Sequence, residues 1–181
     1  MTDSPAVAAA RRLAEDVLLA NALVTDRSDR IPAANLDALA DAGLYGIFVP
    51  EAMGGLGADG DDVFTVIEVL ASGCVTTALV WMQHFGLLGR LLAPGPLGEA
   101  WLADATAGRR RGAIAFGGLL PGPPILTAEP GPDDGWTLHG HAPWVSGWGM
   151  VDTVLVAARG PDDTIVSVAL DAVEGAGVRA D

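Results

Sequence analysis

The hydrophobic residues of this chain change their period once, and that change sets the class of fold. Up to Gly108 they recur every three or four positions; from Gly112 onward β-branched residues, alternation and turn signals take over. About five helices are followed by about five strands. Such segregation implies a multi-domain α+β chain: an N-terminal all-α helical bundle over 1–110, then a partial antiparallel β-domain over 111–181. Half of the 181 residues are hydrophobic and 18% are charged, enough apolar material for a core and too much for a disordered segment.

The helices can be placed individually. Over residues 5–25, Ala10, Leu13, Ala14 and Val17 fall on one face and Arg12, Glu15 and Asp16 on the other. Pro32 opens a second helix at a first-turn position, and Gly43 ends it. Asp59, Asp61 and Asp62 suit the positive end of a third helix, lined by Val63, Val66, Ile67 and Leu70. A calcium loop fails here, because position 12 counted from Asp59 is Leu70 and not a bidentate Glu. Val75 to Leu92 is apolar nearly all round and belongs at the centre of the bundle. Gln83, His84 and Arg90 interrupt it, so it is no membrane span. A fifth helix covers about 97–107. Beyond it, Gly112–Gly117, Trp136–His139, His141–Ser146, Val151–Ala158 and Thr164–Leu170 read as strands. The turns Asp133-Asp134-Gly135 and Gly160-Pro161-Asp162-Asp163 separate some of them.

Between the second and third helices lies Gly43-Leu44-Tyr45-Gly46-Ile47-Phe48-Val49-Pro50-Glu51-Ala52-Met53-Gly54-Gly55-Leu56-Gly57, neither helix nor ordinary loop. Pro50 stops any helix, and the glycines allow a buried chain to turn sharply and approach something closely. At these residues the chain resembles the acyl-CoA dehydrogenase family, where "Gly-Leu-x-Gly-hydrophobic-x-Val-Pro-Glu-x-x-Gly-Gly-x-Gly" joins the early helices. A second stretch, Asp134-Gly135-Trp136-Thr137-Leu138-His139-Gly140-His141-Ala142-Pro143-Trp144-Val145-Ser146-Gly147, is similar to the family's flavin-facing hairpin.

The resemblance implies FAD as cofactor and α,β-dehydrogenation of an acyl-CoA thioester, with the α-proton going to a base and the β-hydride to flavin N5. It implies that Trp144 packs by the flavin rings, with Val145 beside it, and that Ser146 offers its hydroxyl or backbone N–H near N5. Without the resemblance, Trp144 and Ser146 read as packing residues of a sheet and its rim. Where the family has "Leu-Thr-Glu-Pro-x-Ala-Gly-Ser", this chain has Ala113-Ile114-Ala115-Phe116-Gly117-Gly118-Leu119-Leu120-Pro121. Phe116, Gly117 and Gly118 are left to make backbone contacts, and the polar grip on a CoA thioester is missing. That loss keeps open a flavin-dependent monooxygenase of the same fold; a non-catalytic subunit is the third reading. The family's general base is a glutamate of a C-terminal helical bundle, so no catalytic residue is named within 1–181, and Glu51 is structural. A homo-oligomer or a missing C-terminal portion and an electron-transfer acceptor are the implied partners.

Other chemistries have weaker support. A net charge of −13 argues against a nucleic-acid partner, even with Arg109, Arg110 and Arg111 in a row. His139 and His141 alternate on one strand, but the only other histidine is His84, short of a metal site. His84 reads as a hydrogen-bonded core residue, with Gln83 able to touch a cavity. Gly117-Gly118 lacks the Lys-Ser/Thr and the helix of a phosphate loop. Ser146, His141 and Asp152 make a triad only on paper, without a nucleophile elbow. The single cysteine, Cys74, has no basic neighbour to activate it and fits a reducing cytoplasm. The Met1-Thr2-Asp3-Ser4 start is no signal sequence, which points to the same compartment.

Overall fold

The computed structural model describes residues 3–132, 135–175 and 177–180. Helix α1 (Pro5–Leu13) starts where the Ser4 hydroxyl accepts from the Val7 N–H at 3.4 Å. It runs through a π-helical stretch, Ala14–Leu18, into α2 (Leu19–Asp26). The helix that ends at Gly73 crosses here: a Cβ on Gly73 would stand 2.8 Å from the Ala14 carbonyl oxygen. The helical period alone did not reveal the π turn. Helix α3 (Ala33–Asp41) takes Pro32 as its N-cap, one position earlier than the first turn expected of it. Asp59 caps α4 (Gly60–Gly73) by accepting from the Asp62 N–H at 2.9 Å, which accounts for that carboxylate without calcium.

Helix α5 (Val75–Leu91) lies at the centre, as its composition requires. Trp81, Leu87 and Leu88 are fully buried, and the Trp81 indole N–H donates to the Leu44 carbonyl at 3.2 Å. It is not apolar on every side to a purpose, however: Val75 and Leu79, one turn apart, stay exposed. Helix α6 (Pro96–Thr106) packs beside it. None of the described helices is long and apolar enough to cross a membrane.

The Gly43–Gly57 stretch folds back on itself. Gly43 ends α3 with φ +72°, the left-handed conformation that terminates helices. Leu44, Tyr45, Ile47 and Val49 then go into the core. Three bonds close the loop: Leu56 N–H to Gly46 O (3.0 Å), Gly57 N–H to Val49 O (2.9 Å) and Ala58 N–H to Ile47 O (2.9 Å). The close approach expected of its glycines is therefore to the chain itself. A Cβ on Gly46 would meet Thr106 of α6 at 2.5 Å.

The strands are β1 (Gly112–Ala115), β2 (Leu126–Pro130), β3 (Trp136–Gly140), β4 (Thr153–Arg159) and β5 (Ile165–Asp171), joined in one sheet. The helical-then-β order stands, but the sheet is mixed and not wholly antiparallel. β4 pairs antiparallel with β5, and parallel with β1 from Gly112↔Thr153 to Ala115↔Val156. β2 and β3 form an antiparallel hairpin, and β2 meets β4 in parallel at Thr127↔Arg159. The long excursion from β1 through that hairpin lets the chain re-enter beside β1 in the same direction, which residue periodicity does not encode. β4 is buried from Thr153 to Ala158, as a strand paired on both sides should be.

A second correction concerns His141–Ser146, which is not a strand. The ladder stops at Gly140, where φ is +122°; Pro143 has no N–H to donate, and a turn follows with Trp148 N–H on Val145 O at 3.3 Å. The β4–β5 turn is as read, with Asp162 (φ 54°) and Asp163 (φ 61°) both left-handed, as a type I′ hairpin demands. Of the other turn, Asp133 and Asp134 lie outside the described residues, while Gly131 N–H reaches Gly135 O at 2.8 Å.

The three arginines are used up inside the protein. Arg109 holds Asp104 (2.6 Å); Arg110 stacks on Trp101 (4.1 Å to the ring centroid) and donates to Thr153 Oγ1 (2.6 Å). Arg111 pairs with Asp37 (2.6 Å), and its backbone N–H donates to Asp152 (2.8 Å). Arg110 and Arg111 bind the helices to the sheet, while Arg109 stays with α6.

Candidate functional site

Strand alternation puts Ile114 and Phe116 on one side of β1 and its continuation. That side faces α5 across a cleft of about 120 Å³, lined by Gln83, Ile114, Phe116, Gly117, Leu120, Pro143 and Trp144. The walls are apolar apart from the Gln83 amide, which donates to the Leu79 carbonyl at 3.2 Å. Trp144 stands at the rim with 69% of its surface exposed, and Phe116 with 37%. Two exposed aromatics in one apolar cleft form a surface that favours a flat ring.

Of the six residues singled out for flavin contact, Phe116, Gly117 and Trp144 therefore meet in this cleft. Gly118 backs onto the sheet instead: a Cβ there would lie 2.5 Å from Ala158 Cα, so the Gly117–Leu119 turn is seated directly on β4. Val145 is half-buried and packs with Trp148 in the core of the sheet. It borders a larger hollow of about 670 Å³ that shares Pro143 and Trp144 with the cleft. Ser146 opens the following turn, whose Gly147 is pressed against α5; a Cβ there would meet Val80 Cγ1 at 2.8 Å. Ile114, Leu120 and Pro143 are cleft residues that the sequence reading did not single out for flavin contact. The alternation of 112–116 already placed Ile114 on the face of Phe116; Pro143 had no such signal.

Gln83 and His84 are neighbours on α5 but point apart. Gln83 reaches the cleft, while His84 is fully buried behind it. His84 Nδ1 accepts from the Gly112 N–H at 2.9 Å, so its proton sits on Nε2, which donates to the Ala105 carbonyl at 3.1 Å. Burial, helped by the Arg111 charge and opposed by the Ala105 carbonyl, lowers its pKa from 6.5 to about 4. The Tyr45 ring meets it edge-on, 5.0 Å between centroids, and burial pushes that phenol up to about 12. His84 is the core histidine expected.

The remaining candidates do not assemble. His139 lies on the exposed hairpin, 3.9 Å from Glu129. Among the described residues no three ligand side chains converge as a metal site would need. Asp152 accepts from the Arg111 backbone N–H at 2.8 Å. Cys74 is buried and accepts from the Thr77 hydroxyl at 3.3 Å.

Comparison with known proteins gives one direction. The family described as "Acyl-CoA dehydrogenase, N-terminal domain" matches residues 5–96. The 3-sulfinopropanoyl-CoA desulfinase of Advenella mimigardefordensis is 29% identical over 161 residues, covering 86% of this chain and 40% of its own. The mitochondrial short-chain specific acyl-CoA dehydrogenase of Bos taurus is 29% identical over 155 residues, covering 82% of this chain and 37% of its own. The dibenzothiophene monooxygenase TdsC of Paenibacillus sp. A11-2 superposes with a TM-score of 0.75 at 26% identity, over 92% of this chain and 42% of that one. The chain thus spans about 40% of the length of the curated relatives it matches.

Proposed function

Since the chain belongs to the acyl-CoA dehydrogenase family, we propose that it supplies the flavin-facing part of an FAD-dependent oxidoreductase acting on an acyl-CoA thioester. On this reading residues 1–110 are the helical domain and 111–181 part of the middle β-domain. The observation that carries it is the cleft at the end of β1, where Phe116, Gly117 and the exposed Trp144 form an apolar aromatic wall. At about 120 Å³ this cleft falls short of the ~300 Å³ at which ligand pockets begin. The residues fit one face of a flavin and do not enclose it.

A bound flavin would supply the two-electron acceptor for oxidation of the acyl chain. Trp144 and Phe116 would stack against its ring system, with Gly117, itself packed against the His141 carbonyl, beside them in the wall. Ser146, two residues beyond Trp144, is proposed to offer its hydroxyl or N–H to the redox edge of the ring. A CoA thioester is favoured as substrate because both curated relatives, the desulfinase and the dehydrogenase, are named for CoA thioesters. The apolar run Phe116–Leu120, which lacks a polar grip, and the likeness to TdsC support a second reading as a flavin monooxygenase.

The test is titration of the purified chain with FAD, followed by flavin fluorescence. Trp144→Ala is expected to weaken binding about tenfold, the loss of a stacking contact worth about 1.4 kcal/mol. Trp136→Ala, on β3 outside the cleft, should leave it unchanged. No binding by the wild type in excess FAD sinks the proposal. Reduction of bound flavin by an acyl-CoA, without NAD(P)H or a reductase, selects the dehydrogenase over the monooxygenase.

A further inference from the structure

We propose that His84 is a positioning residue: by accepting from Gly112 and donating to Ala105, it clasps β1 to α5 and so fixes the cleft wall that Ile114 and Phe116 form. The inference takes from the proposed function only the choice of FAD as a probe.

The contact between α5 and β1 is closer than side chains normally permit. A Cβ on Gly112 would stand 2.7 Å from Leu87 Cβ, and one on Gly86 would collide with the Ile114 side chain. The two elements therefore touch through glycine on both sides, with Ile114 laid over Gly86. His84 fixes their register at the first residue of β1. Its Nδ1 is the acceptor for a Gly112 N–H that is buried and would otherwise be left without a partner. Its Nε2 anchors the same ring to α6 through Ala105. Two residues beyond Gly112, Ile114 lines the cleft; one residue before His84, Gln83 lines it from the other side. A slip of β1 along α5 changes the distance between those walls directly.

The clasp works only with a neutral ring, because a second proton would set an N–H of the imidazole against the N–H of Gly112. Burial keeps the ring neutral, against the pull of the one carbonyl it donates to. From α6 comes the Ala105 carbonyl, and from the Gly43–Gly57 stretch the un-ionised Tyr45 ring. From the approach to β1 comes the Arg111 guanidinium, which opposes a positive imidazole. The clasp should hold through neutral pH and open in acid.

Hydrogen exchange of the 112–117 segment and FAD titration, each from pH 8 to pH 4, test this on wild type, His84→Ala and His84→Asn. Asparagine places Oδ1 where Nδ1 was and does not titrate. In the wild type, protection of the segment, corrected for the intrinsic rate, should be flat above about pH 6.5 and fall tenfold or more towards pH 4. His84→Ala should lose that protection at every pH and bind FAD several-fold more weakly. His84→Asn should keep most of both and show no acid transition. Wild-type exchange in a folded His84→Ala, or an acid transition that persists in His84→Asn, overturns the proposal. If His84→Ala does not fold, the pH profile of His84→Asn decides. If the wild type binds no FAD, the flavin reading falls, and the exchange profiles still decide for or against the clasp.

Discussion

Gly55→Ala is expected to destabilise the chain by about 3 kcal/mol or more, a large share of the 5–15 kcal/mol that holds a typical domain. A Cβ at this position would overlap the Val49 carbonyl oxygen and lie 2.5 Å from Val49 Cβ and 2.6 Å from Gly46 O. These are mostly backbone atoms, and they cannot swing away as the end of a side chain could. The Val49 and Gly46 carbonyls are also the acceptors for Gly57 and Leu56, so moving them breaks the bonds that close the loop. Gly46 rests against Thr106, next to the Ala105 whose carbonyl holds His84, so the displacement reaches α6 and the back of the cleft. Two neighbours separate this effect from a general need for glycine. Gly54 has φ +87° but nothing within 4 Å, so Gly54→Ala should cost only about 1 kcal/mol of backbone strain. Gly60, in the first turn of α4 with open space around it, should accept alanine at no cost. Urea midpoints followed by far-UV circular dichroism give the comparison. Equal losses for Gly55→Ala and Gly54→Ala would contradict the packing account.

This stretch also shows what the sequence could and could not convey. Some helix ends were legible because they carry local chemistry: Asp59 stands at the start of α4 and Gly43 terminates α3, whereas the Ser4 cap and the Pro96 start were not singled out. The β4–β5 hairpin was legible for the same reason, since its turn residues are adjacent in the chain. That Gly55 and Gly46 touch backbone was not, because a close approach has the same residue signature whatever is approached. The parallel β1–β4 pairing was hidden, as it joins residues about forty positions apart and leaves no mark on either strand's pattern. A separate strand over His141–Ser146 was expected because Trp144 and Val145 have strand-like side chains. Pro143 and the positive φ values of Gly140 and Gly147 outweigh that preference. For the cleft, aromatic content singled out Trp144 and Phe116. The partner wall from α5 depended on which way two adjacent residues, Gln83 and His84, face in the folded chain.

Acid should cost the chain about 3 kcal/mol through His84 alone by pH 4. In the unfolded chain this imidazole titrates near its ordinary 6.5; in the fold its pKa is lowered to about 4. Between those values the unfolded state binds more protons than the native one, so stability rises with pH across the interval. The contribution is complete above pH 6.5 and is lost as pH falls through the window towards the folded value. Other groups titrate in acid as well, so the measured quantity is the difference between wild type and His84→Asn, obtained from urea unfolding at each pH. At neutral pH the asparagine variant should be the less stable, having lost the bond to Ala105. As pH falls that deficit should shrink and then reverse, because only the wild type must force a proton off or break its clasp. Parallel stability curves over pH 4–7 would contradict the burial and hydrogen bonding assigned to the ring. A crossing ties the stability of the fold to the residue that holds β1 against α5. It makes β1, which carries Ile114 and leads into Phe116, an acid-sensitive part of the sheet.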